Sequence, residues 1–231
     1  MNDKEIPPAS SRRDFYFNFN PMLTETLHTT WQQLLQPYTQ DQAIIGEGFR
    51  LIISHYTESH RHYHDLHHLQ ALLKLQQIYA DRIADNERLS LAIFFHDIIY
   101  DVKHSDNEEQ SALAAAAFLQ QTSYPAERTE QVMEFIRATK THLNTSHNTD
   151  LDYFLDFDLS ILSAPAADYI AYAQQIRKEY SIYPDMLYKP GRKKVLAHFL
   201  GLPAIYKTSL FREEREALAR QNMQQELKIL D

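Results

Sequence analysis

The chain has 231 residues, with 23 Lys+Arg against 31 Asp+Glu, a formal net charge of -8 and 44% hydrophobic residues. That composition is too apolar for a disordered chain, and no apolar run approaches the roughly 18 residues that a membrane helix needs. The lack of cysteine excludes disulfides, thiolate zinc sites and a Cys nucleophile, and four glycines assemble neither GxGxxG nor GxxxxGK[ST], which argues against P-loop and Rossmann phosphate cradles.

The excess of acid argues against nucleic acid as the main partner, because affinity there comes from clustered cations. The short run Arg192-Lys193-Lys194 reads as a solvated helix face. Met1 to Ser11 is polar and contains Pro7-Pro8, so no secretory leader is expected and the cytoplasm is the expected compartment.

Residues 1–20 are predicted to form a partly ordered tail, pinned to the body by Phe15, Tyr16, Phe17 and Phe19, ahead of one domain over 21–231. From there helical spacing dominates: Trp31, Leu34, Leu35 and Tyr38, then Ile45, Phe49, Ile52 and Ile53, then the stripe from Leu66 to Tyr79. Asp81–Asn86 breaks the pattern. The apolar run Leu89–Tyr100 exceeds strand length and lacks Gly or Pro, which predicts a buried helix. Ser105-Asp106-Asn107-Glu108 has the form of a capping box opening an Ala-rich helix to about Gln121. Pro125 sits early in a helix towards His142, and Thr149–Ile161, Asp168–Tyr180, Asp185–Leu200 and Arg212–Leu230 follow. The expected class is all-α, with roughly ten helices and no sustained period-2 alternation.

Histidine is crowded: twelve in all, five of them between His60 and His68. Three clusters carry metal-competent groups: His60 to His68, then His96-Asp97 with Asp101 a turn later, then Asp156-Phe157-Asp158. The doublet is the informative one, because Phe94-Phe95-His96-Asp97-Ile98-Ile99 sets two ionisable groups into the most apolar run. Burying an unpaired carboxylate costs several kcal/mol, roughly, unless a cation or strong hydrogen bonds compensate. His64 and His96 have their midpoint at residue 80, beside the break, so an antiparallel hairpin brings them to one level. His64, His67 and His68 share a face if the helix already starts there, while His60 and His62 read as surface groups on its approach. Asp156 and Asp158 point roughly 160–200° apart on a helix and cannot both reach one ion.

At this point the chain resembles the HD superfamily of metal-dependent phosphohydrolases, whose H…HD…D signature is similar to His64, His96-Asp97 and Asp158. It resembles more closely a bacterial group of predicted HD-superfamily phosphohydrolases, through Arg61-His62-Tyr63-His64, Phe95 to Asp101, Asn107 to Ser111, Ala138 to His142, Asp156 to Leu162, Ile176 to Tyr180 and Tyr188 to Arg192. The resemblance covers about residues 22–230 and implies a single HD-type helical domain. It implies His64, His96, Asp97 and Asp158 as ligands of a divalent metal, and a sulfur-free set suits Mn, Fe, Co, Ni or Mg. The implied reaction is cleavage of a phosphomonoester or nucleotide phosphate by a metal-activated water.

The catalytic set then comprises Asp97, Glu108, Glu109 and Lys140, with Lys140 as a phosphate clamp. Arg61, Asp101, Thr139, His142 and Arg177 are the expected substrate contacts. Plainer readings stand beside these: Glu108 as part of the capping box, His142 as a cationic helix cap, Arg61 and Arg177 as salt-bridge partners. The implied partner is a small phosphorylated substrate, nucleotides included, with no membrane and with self-association left open. Two other functions compete. One is a catalytically silent HD-fold module that binds metal or nucleotide. The other is a zincin-like peptidase on His64 to His68, which needs Glu where Asp65 stands and leaves His96-Asp97 unexplained.

Overall fold

The computed structural model describes residues 21–230, and the expected aromatic tail over 1–20 lies outside them. Ten α-helices follow in chain order: α1 (Pro21–Leu35), α2 (Gln42–Tyr56), α3 (Leu66–Ile78), α4 (Asn86–Phe95), α5 (Asn107–Leu119), α6 (Ala126–Ala138), α7 (Thr149–Asp158), α8 (Ala166–Glu179), α9 (Asp185–Gly201) and α10 (Ser209–Leu230). Short 3-10 turns at Ala80–Arg82 and Leu159–Ser163 complete the chain, and no strand occurs among the described residues. The all-α class and the helix number agree with the sequence reading. No helix among the described residues is long and apolar enough to cross a membrane.

Apart from Ser90, the run Leu89–Phe95 is apolar because α4 is the central helix: Leu89, Leu91, Ala92, Ile93, Phe94 and Phe95 are all fully buried. α3, α5, α6 and α7 pack around it. From α1, Trp31 meets Phe94 edge-on with ring centroids 5.2 Å apart and touches Phe118 of α5 at the same distance. Its indole Nε1 donates to the Ile45 carbonyl at 2.9 Å, which satisfies the one polar atom of a buried ring. Gly48 of α2 is where the packing is tightest. A Cβ there would lie 2.5 Å from the Phe118 ring and 2.6 Å from Trp31.

Helix ends decide what the chain presents beyond them. Asp65 caps α3 by accepting from the His67 N–H, so the helix starts after His64, and His64 belongs to the approach with His60 and His62. α4 ends at Phe95, which leaves His96 at its cap and Asp97 in the turn that follows. The capping box expected at Ser105 does not form: Asp106 is the N-cap of α5, with no side-chain bond to the helix N–H groups. Asp106 accepts from the Gln110 amide instead. α6 stops at Ala138, short of His142. α3 packs on α4 across the Ala80–Arg82 turn, and α7 packs on both. The start of α3, the end of α4 and the end of α7 thereby come together.

Candidate metal centre

Where those three ends meet, ligand atoms of His68, His96 and Asp158 lie within 4.8 Å of one another. Nε2 of His68 and Nε2 of His96 are 3.1 Å apart, and the His68 nitrogen is 3.3 Å from Oδ1 of Asp158. Asp97 closes the group, with Oδ2 at 3.1 Å from His96 Nε2 and 3.8 Å from His68 Nε2. His64 stands at the edge, its Nε2 4.0 Å from the same Asp97 oxygen. The floor is dry and the rim is not: the side chains of His68 and His96 are 2% and 1% exposed, those of Asp97 and Asp158 19% and 16%.

His96 Nδ1 lies 2.8 Å from the Ile93 carbonyl, an acceptor only, so that nitrogen carries a proton. In the neutral ring Nε2 therefore turns a lone pair on His68 and on two carboxylates. A proton on His68 Nε2, donated to His96 or Asp158, would satisfy this arrangement, and so would a bound cation. Burial disfavours charge on His96, yet the Asp97 carboxylate overrides it and lifts the imidazole to about 9. Burial keeps His68 below its usual value, as expected beside a charged neighbour. Against the pull of burial, the surrounding imidazoles hold the carboxyls of both Asp97 and Asp158 well below the ordinary range. Two imidazole nitrogens and two ionised carboxylates, with no sulfur, form a donor set suited to a divalent ion of the Mn-to-Ni series or Mg.

No protein-family model, no curated protein and no solved structure matches the chain. The site is therefore read from its own residues. Of the ligands expected from the sequence, His96, Asp97 and Asp158 converge. His68 takes the inner position given to His64, whose ring stands on the approach with its centroid 5.7 Å from that of His68. The signal was present: His68 falls on the buried stripe of α3 with Leu69, Leu72 and Gln76. His67, expected on the same face, points away with its side chain 68% exposed.

Among the other expected site residues only His142 reaches the cluster, with Nε2 3.0 Å from Asp158 Oδ2. It does so from a left-handed backbone, φ 51, rare for a residue with a side chain. Its ring also touches Phe199 of α9. The Arg61 side chain is closed off from solvent. Its guanidinium is buried between the Tyr56 and Tyr100 rings and spent on Glu58 and on the carbonyls of His64, Asp97 and Ile98. Arg177 is likewise taken, by Asp185 and the carbonyls of Tyr180 and Tyr183. Thr139 is buried, its hydroxyl donating back to Ile136. Asp101 closes a turn onto the Lys103 N–H, and Lys140 donates to the Ser105 carbonyl. Glu109 forms a two-bond pair with Arg137, at 2.7 and 2.9 Å. Glu108 lies half-buried in the first turn of α5. Asp156 points the other way, as its spacing from Asp158 requires, and accepts from Lys207 and Thr208 ahead of α10.

Proposed function

We propose that the chain is a metal-dependent phosphohydrolase of the HD type, acting on a small phosphomonoester or a nucleotide phosphate. The observation that carries this reading is the convergence of His68, His96, Asp97 and Asp158 from three distant parts of the sequence on one half-open point. Nε2 of His68 and His96 with the carboxylates of Asp97 and Asp158 would hold the ion. A divalent ion bound there supplies a water of lowered pKa and charge neutralisation for the phosphoryl group.

The chain's own contribution is orientation and proton handling. Ile93 fixes the ring of His96, and Arg61 ties the backbone of Asp97 and Ile98 to that of His64. His142 stands at the rim beside Asp158 and next to Phe199, and we assign it to the substrate phosphate or the leaving oxygen. Within general acid–base catalysis such a group must lie within hydrogen-bond reach of the proton it moves.

One observation favours the silent binding module as a second reading. Glu109 and Lys140, expected to act in catalysis, are both engaged away from the cluster. A single experiment separates the two. Metal-stripped protein is reloaded with Mn²⁺, Fe²⁺, Co²⁺, Ni²⁺ or Mg²⁺ and assayed on a generic phosphomonoester and on nucleotides, in parallel with Asp97→Ala. Turnover that needs metal and vanishes in the variant supports hydrolysis, full occupancy without turnover supports the silent module, and no metal binding removes the hydrolase and the metal-binding form of the module.

A further inference from the structure

The carboxylate of Glu179, the last residue of α8, is buried and receives five donors. Oε1 accepts the successive backbone N–H groups of His62, Tyr63 and His64 at 2.8, 2.8 and 3.0 Å. Oε2 lies 2.8 Å from His64 Nδ1 and accepts the Tyr100 hydroxyl at 2.9 Å. The Tyr100 ring in turn lies on the His64 ring, centroids 4.3 Å apart. Three backbone N–H groups donate to Oε1 and the Tyr100 hydroxyl donates to Oε2, the donor pattern of an ionised carboxylate.

An ionised carboxylate only accepts, so the His64 nitrogen facing it must carry a proton. In the neutral ring the opposite nitrogen, Nε2, is then a bare lone pair, and it is this atom that faces Asp97 Oδ2. Three N–H groups on a single oxygen also fix the backbone just ahead of α3, so that the ring has a defined height above the cluster. A carboxylate placed only to stabilise the loop needs the three backbone bonds and has no use for Nδ1.

We propose that Glu179 is a positioning residue of the metal centre: it sets His64 in the Nδ1–H tautomer and offers His64 Nε2 as a further ligand at the rim. The proposal rests on the metal-centre reading above. Carboxylates that hold a ligating histidine in this way are worth roughly 10–100-fold in metal affinity.

Glu179→Gln is the discriminating variant. Its amide oxygen can keep the three backbone bonds, while its NH₂ faces Nδ1 and demands a lone pair there, which moves the proton to Nε2. Two readouts follow it in the full chain. The first is the ¹⁵N shift pattern of His64 in metal-free protein, at a pH that leaves the ring neutral. The second is Co²⁺ affinity by calorimetry. The proposal expects Nδ1–H in the wild type, Nε2–H in Glu179→Gln, and a Kd for Co²⁺ raised roughly 10–100-fold. Wild-type His64 found as Nε2–H overturns it, and that measurement needs no variant to fold. An unchanged Kd in a folded Glu179→Gln also overturns it. Wild-type protein that binds no Co²⁺ at all overturns the metal reading instead, whatever tautomer His64 shows.

Discussion

His67 and His68 are adjacent in sequence and opposite in situation. One side chain stands in solvent, while the other is buried with its Nε2 against His96 and Asp158. Replacing His68 by Ala removes an inner donor, so Co²⁺ affinity should fall by at least tenfold by calorimetry; His67→Ala should leave it unchanged. Equal losses in both variants would mean that the cluster does not bind the ion. The pair also shows how far single residues are legible. The His96-Asp97 doublet is readable because ionisable groups stand out in an apolar run, and Asp158 is separable from Asp156 by helical angle. Which histidine sits deepest was not legible, because the relative depth of His64 and His68 depends on where α3 begins, and one capping contact from Asp65 sets that. Glu179 lies 115 positions from His64, and nothing in local periodicity links them.

At the scale of elements, the helices were legible and their ends were not. Spacing of apolar residues reports a face directly but not where a helix begins: Asp106 rather than Ser105 opens α5, with no side-chain bond to the helix N–H groups. Tight helix crossings are equally hidden from periodicity. Gly48 lets α2 approach Trp31 and the Phe118 ring, so Gly48→Ala should destabilise by about 1–3 kcal/mol in urea unfolding, since a core at native density cannot absorb the methyl without moving rings. A variant as stable as the wild type would show that these rings can shift. Asp156 makes the matching contact at the start of α10, where it accepts two backbone N–H groups and the Thr208 hydroxyl. Asp156→Ala leaves those donors without their partner and should cost about 1–3 kcal/mol in the same assay. An unchanged midpoint would mean that water replaces the carboxylate at no cost.

Across the whole molecule, the cluster draws together parts of the chain that unfolding separates. His68 opens α3, His96 and Asp97 follow α4, and Asp158 ends α7, while His142 arrives from the turn after α6. An unfolded chain cannot present these groups at one point, so an ion bound there stabilises only the folded state. At a concentration 100 times its Kd such an ion contributes about 2.7 kcal/mol. In a domain of this size each kcal/mol moves Tm by roughly 2–4 °C, so saturating Co²⁺ should raise Tm by about 5–10 °C. A chelator should reverse the rise, and His68→Ala at the same Co²⁺ concentration should lose most of it. A rise of the same size in that variant would show that His68 is not a donor to the bound ion.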